Sequence, residues 1–200
     1  MSEQDVFIRS EVALMDTIDQ IRDEQWDQNK PAWFQTGGQG DVSLRDIVNY
    51  HAFDSAWVPD VLAGRTTAEV GETHAGDLLG DDPAGSYRSY GQKAIAAVEE
   101  LDDPERNVHL SYGDFPARED LKHITSFRGF RAYDIAKWIG VNTQLPDDLV
   151  QGMWDEFAPE IESWRQMGVF GPAVTVPDDA PLQDRLLGLV GRDPYLRHEA

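Results

Sequence analysis

Cysteine is absent from the 200 residues. A thiolate nucleophile, a cysteine-ligated zinc and an iron–sulfur cluster are thereby excluded. So are disulfides, which suits a reducing compartment, and a cytoplasmic location is expected. Positive charge is scarce: 17 Lys and Arg stand against 37 Asp and Glu, for a net charge of −20. Such a surface repels phosphate backbones and anionic lipid headgroups, so neither nucleic acid nor a membrane is expected as a partner. Solubility, or adaptation to a salty cytoplasm, accounts for that charge; an acidic face for a cationic partner is the sharper alternative. No apolar run approaches the roughly 18 residues of a membrane span. The opening MSEQDVFIRSEVALMDTIDQ has no basic stretch leading into an apolar one, so no signal peptide is expected. The Walker phosphate loop, G-x-G-x-x-G, H-E-x-x-H and G-x-S-x-G are all missing, which removes the commonest nucleotide, zinc-protease and serine-hydrolase fingerprints.

What is present is a chain able to build a core. Hydrophobic residues make up 40%, with six Trp, eight Phe and six Tyr. No repeat or low-complexity tract interrupts it. Over residues 3–24, Val6, Ile8, Val12, Leu14, Met15, Ile18 and Ile21 recur at helical spacing. Residues 27–42, with Pro31 and the Gly37-Gly38-Gln39-Gly40 cluster, read as loop. Ser43-Leu44-Arg45-Asp46 resembles a capping box and opens a second helix that Pro59 and Gly64 bring to an end. Residues 65–81 read as loop. Asp82-Pro83 forms an N-cap and first-turn pair for a third helix over about 83–101. Tyr112-Gly113-Asp114-Phe115-Pro116 signals a turn. A fourth helix is predicted from Ala117 to Ile139, closed by Gly140, and a fifth from Pro146 to about Gly168, bent at Pro159. Val169–Val176 is expected to be extended and Pro181–Val190 a short last helix. The fold class is therefore all-α, a helical bundle over 1–168 with a C-terminal extension over 169–200 packed on it.

One constellation bears on chemistry. His51 shares a face with Leu44, Ile47, Val48, Ser55 and Val58, where a buried, satisfied imidazole is the plainer expectation. His123, Phe127 and Arg131 stack at i, i+4 and i+8 on the fourth helix. Phe127 has no lone pair to offer and Arg131 cannot shed its proton, so the plainer reading has Phe127 in the core and Arg131 paired with an acid such as Asp134. Trp154, Phe157 and Trp164, at i, i+3 and i+10, read as core before they read as a docking stripe.

Val48-Asn49-Tyr50-His51, Leu78-Leu79-Gly80-Asp81-Asp82-Pro83-Ala84, Arg131-Ala132-Tyr133-Asp134-Ile135-Ala136 and the run Asp184 to Pro194 occur in an order that resembles the mycothiol-dependent maleylpyruvate isomerase family of DinB-like metal-binding bundles. The resemblance covers about residues 26–194. It implies a four-helix bundle with one divalent metal, often zinc or nickel, held by a helix-two histidine and an acid-x-x-x-His pair on helix four. Matched position by position, the first ligand falls on His51, the acid on Phe127 and the second histidine on Arg131. Two of the three ligand positions are thus substituted, while the Asp134 that follows is kept. One His cannot hold zinc firmly against water, so no cofactor is expected, although His123 stands one turn away as a substitute ligand, with Asp54 and Asp120 as spare oxygen donors.

The expected function is a divergent family member without an intact metal site. Its bundle cleft would bind a small, anionic ligand through Arg131, Asp134 and Phe127. Arg131 is expected to face that cleft and to meet His51 or Asp134. Two alternatives stay open: a metal- and thiol-dependent transferase or isomerase in which His51, His123 and an acid converge, and a structural or interaction module.

Overall fold

Ser43 starts its helix as the local chemistry dictates. Its hydroxyl accepts from the Asp46 amide while the Asp46 carboxylate accepts from the Ser43 amide, which satisfies two otherwise orphaned donors. The same reciprocal cap opens the first helix at Ser2 and Asp5. The computed structural model describes residues 1–35 and 41–196, and the glycine cluster at 37–40 lies outside the described residues. Among the described residues the chain is mostly helical, with one two-stranded hairpin.

The elements, in order, are α1 (Glu3–Ile18), α2 (Leu44–Leu62), α3 (Thr67–Val70), α4 (Pro83–Glu99), β1 (Asn107–Leu110), β2 (Gly113–Pro116), α5 (Ala117–Ile139), α6 (Asp147–Phe157), α7 (Ile161–Gln166) and α8 (Leu182–Leu189). They fall into two compact units, Ser2–Thr143 and the segment from Gln144 on. Residues 144–168, grouped by sequence with the bundle, sit with the second unit because α6 packs against α8.

In the first unit α1 lies along α5 and α4, and α2 lies along α4. Phe7, Val58, Leu62, Ala94, Val98 and Leu121 bring residues from these helices into one core. Gly91 allows α1 and α4 their close approach: a Cβ there would lie 2.7 Å from both the Met15 sulfur and Glu11 Oε1. Gly140 ends α5 in the left-handed conformation (φ 75°), as its position at the end of the periodic segment predicts.

Four expectations need correction. Residues 65–81 are not all loop: a Thr66–Glu69 capping box opens the four-residue helix α3. The first helix ends at Ile18 rather than near 24, and a separate 3₁₀ turn covers Asp23–Gln25. The region 102–116 is more than a turn: β1 and β2 pair antiparallel, Val108 opposite Phe115 and His109 opposite Asp114. Strands of four residues are too short to show alternation against their flanks. The long fifth helix is broken rather than bent. Pro159, which cannot donate an amide hydrogen bond, lies in a 3₁₀ turn (Ala158–Glu160) that separates α6 from α7. In the second unit Phe157, Trp164 and Phe170 pack edge to face or tilted at 5.8–6.1 Å. Phe157 and Trp164 are buried there, while Trp154 carries the Arg185 guanidinium 5.0 Å over its ring.

Candidate functional site

Facing residues of α2 and α5 define the site. His51 meets Arg131 and, one turn on, Ser55 meets Arg128, so the two helices run antiparallel here. The buried layer beneath them is ionic. Arg128 Nε donates to Glu11 Oε2, Arg128 Nη2 to Ser55 Oγ (3.0 Å), and the Tyr87 hydroxyl to Glu11 Oε1 (2.8 Å). Arg128 and Glu11 are both completely buried, and the Arg128 guanidinium also lies 5.2 Å over the Phe7 ring. Tyr87 keeps its proton, because burial and the neighbouring Glu11 carboxylate push its ionisation far above the usual phenol range. An acid on the apolar face of α1, between Phe7 and Met15, is the sequence signal for this layer.

Arg131 lies on α5 one turn beyond Phe127 and faces α2. Its Nε donates to His51 Nε2 (3.2 Å), and its Nη1 donates to the Gln35 carbonyl (3.2 Å) and to Asp134 Oδ2 (3.4 Å). The guanidinium also stacks 4.5 Å from the Phe34 ring centre. Arg131 thus meets both of the partners expected for it. His51 is held neutral: burial lowers its pKa well below 6.5, and Arg131 and Arg128 lower it further. Since Nε2 accepts, the ring proton sits on Nδ1, a buried N–H with no hydrogen-bond partner among the described residues.

A divalent ion does not fit these donors. The His51 lone pair that would bind it already accepts from a permanent cation, Phe127 offers none, and Arg131 brings like charge. Among the described residues no group of three or more His, Asp or Glu is arranged to hold a metal. Protein purified from zinc- and nickel-supplemented cells is expected to carry far less than one metal per chain by elemental analysis. Near-stoichiometric metal that disappears in His51→Ala would refute this account.

One turn from the His51–Arg131 pair, α2, α5 and the hairpin, with Thr67 of α3, line an open cavity of about 310 Å³. Tyr50, Phe53, Asp54, Trp57, Val58 and Val61 reach it from α2, a spacing of i, i+3, i+4, i+7, i+8 and i+11 that places them on one face. Asp120, His123, Ile124 and Phe127 reach it from α5 by the same rule, and the hairpin adds His109 to Tyr112. The Tyr112 hydroxyl lies 3.2 Å from His123 Nδ1. Tyr112 keeps its proton, its pKa pushed up to about 12 chiefly by burial, and burial lowers that of His123.

The cavity holds two carboxyl groups, and neither Asp54 nor Asp120 makes a hydrogen bond or ion pair with any described residue. Asp120 is 3% exposed. Burial raises its pKa to about 7 against the opposing pull of Arg128, and Asp54 adds to the rise. Burial likewise raises Asp54 to about 6. Two acids with raised pKa and no ion-pair partner, facing one aromatic cleft, single out this cavity as the candidate site.

Of the residues singled out by sequence, the structure joins His51, Arg131 and Asp134 in one buried cluster and puts Phe127 and His123 in the cavity wall. Phe127 is 41% exposed rather than core, because at the mouth of the cavity no element covers its ring. Tyr112, Trp57 and Arg128 were not singled out. The hairpin that delivers Tyr112 has no long-range signature in sequence.

No protein-family model, curated protein or solved structure matches the chain.

Proposed function

We propose that the Ser2–Thr143 unit is a divergent DinB-like four-helix bundle that binds a small molecule in the α2–α5 cavity without a metal. One observation carries the reading: a cavity of about 310 Å³ walled by aromatic rings and containing two carboxyl groups with no protein partner. That volume lies in the range of small-ligand sites, and a buried acid with no ion-pair partner, Asp120, is retained at a cost that packing alone does not require. The lengthwise packing of α1, α2, α4 and α5 and the retained His51 support the bundle kinship suggested by the motif order. An anion seated on Arg131 would have to compete with Asp134 and the Gln35 carbonyl; a ligand in the cavity displaces no protein partner of Asp54 or Asp120.

Ligand-observed NMR with neutral fragments, indole and 3,3-dimethylbutan-1-ol among them, tests the reading. Saturation transfer is expected with the wild-type protein and is expected to vanish in Ile124→Trp, which fills the cavity from α5. Binding undiminished in that variant, or no binding either by these fragments or by the cation choline, would overturn it.

A further inference from the structure

The cavity mouth is ringed by exposed aromatic residues. Tyr50 (57% exposed), Phe53 (38%), Tyr112 (61%) and Phe127 (41%) come from α2, the hairpin and α5, yet all border this one opening. An apolar ligand would be served equally by leucine and valine at these places. Aromatic faces differ from aliphatic walls in carrying negative electrostatic potential, which attracts cations. Behind the ring lie Asp54 and Asp120, which form no ion pair with a described residue. Arg128 attracts both from a distance, but its guanidinium is paired directly with Glu11.

We infer that the cavity takes an organic cation, an amine or quaternary ammonium head, which Asp54 and Asp120 neutralise and the rings of Tyr50, Phe53, Tyr112 and Phe127 enclose. The inference rests on the reading of the cavity as a small-ligand site and specifies the ligand's charge. Three independent features agree on the sign. The carboxyl groups form no ion pair with a described residue, the rim is aromatic, and the net charge of −20 concentrates cations around the whole molecule. Bringing the ligand's charge into the cavity offsets the desolvation that disfavours the two carboxylates.

Choline and its uncharged isostere 3,3-dimethylbutan-1-ol separate charge from shape. Binding to the whole chain is followed by ligand-observed NMR and by tryptophan fluorescence, to which Trp57 in the cavity wall contributes. The cation is expected to bind at least tenfold more tightly than the alcohol. That preference is expected to fall to about twofold or less in the Asp54→Asn/Asp120→Asn double variant, with alcohol binding retained. Phe127→Ala, at an exposed rim position, is expected to weaken the cation more than the alcohol without unfolding the chain. Equal affinities, or tighter binding of the alcohol, would overturn the cation inference and leave the cavity reading standing. Failure of both probes to bind the wild-type protein would remove the cavity reading and the inference with it.

Discussion

Replacing Arg128 by methionine is expected to destabilise the Ser2–Thr143 unit by about 3–5 kcal/mol. The guanidinium and the Glu11 carboxylate are both wholly buried, and removing one leaves the other as an uncompensated charge in a low-dielectric interior. Ser55 and Tyr87 would still donate to Glu11, but two neutral donors do not balance a full negative charge. The companion change Glu11→Gln in the same chain should recover much of the loss, because it removes the uncompensated charge while its amide oxygen still accepts from Tyr87 and Ser55. Urea unfolding of the two single variants and the double variant measures this directly. Single-variant losses that simply add would show that Glu11 and Arg128 do not act as a pair.

Asp120→Asn is expected to do the opposite and stabilise the protein at pH 8. The carboxyl group has its folded pKa raised from 3.8 to about 7. At pH 8 the wild-type chain therefore holds a buried carboxylate that it would prefer to have protonated. At roughly 1.4 kcal/mol per pK unit the ceiling of the gain is about 4 kcal/mol. Burying the asparagine amide takes back part of that, so a gain on the order of 2 kcal/mol is expected. Between pH 4 and 7 the folded state binds a proton at this site that the unfolded chain releases, so wild-type stability from Asp120 is highest at the acid end and falls as pH rises. The advantage of the variant should shrink as pH falls through 7 and be nearly gone by pH 5. His51 acts in the other direction. Its folded pKa is depressed, so its contribution is present above 6.5 and is lost on acidification. That contribution is common to wild type and variant, and the difference between their thermal unfolding curves across pH isolates Asp120. A variant no more stable than wild type at pH 8 would mean that the carboxylate is well solvated there. A gain in stability paired with a loss of cation binding is what a binding residue retained against its own folding cost produces.

The pairing of Arg131 with His51 and Asp134 had a local basis. Asp134 follows Arg131 by three residues on one helix, and His51 faces the same seam from α2. Several helix starts and stops that depend on neighbours in sequence were legible, although the Thr66–Glu69 cap that opens α3 was missed. Ser43 with Asp46, Asp82 with Pro83 and Gly140 each act over a few residues, and the structure ends or begins its helices there. The hairpin at 107–116 was not legible, since its four-residue strands are held by each other and by α2 and α5. Nor was the role of Asp54 and Asp120. Each is an ordinary acid on a helix, and only when α2 and α5 run antiparallel with Tyr112 brought across by the hairpin do the two share one open cleft.

By itself the sequence determined the mostly helical class and the capped boundaries of α2, α4 and α5, because these follow from side-chain chemistry and spacing along one chain. The tertiary structure alone decided that Arg131 stands against the His51 lone pair, that Arg128 and Glu11 are sealed together, and that two acids 66 positions apart in the chain, Asp54 and Asp120, face a common aromatic cavity. Electrostatics depends on distance and burial in space, and neither is set by position along the chain.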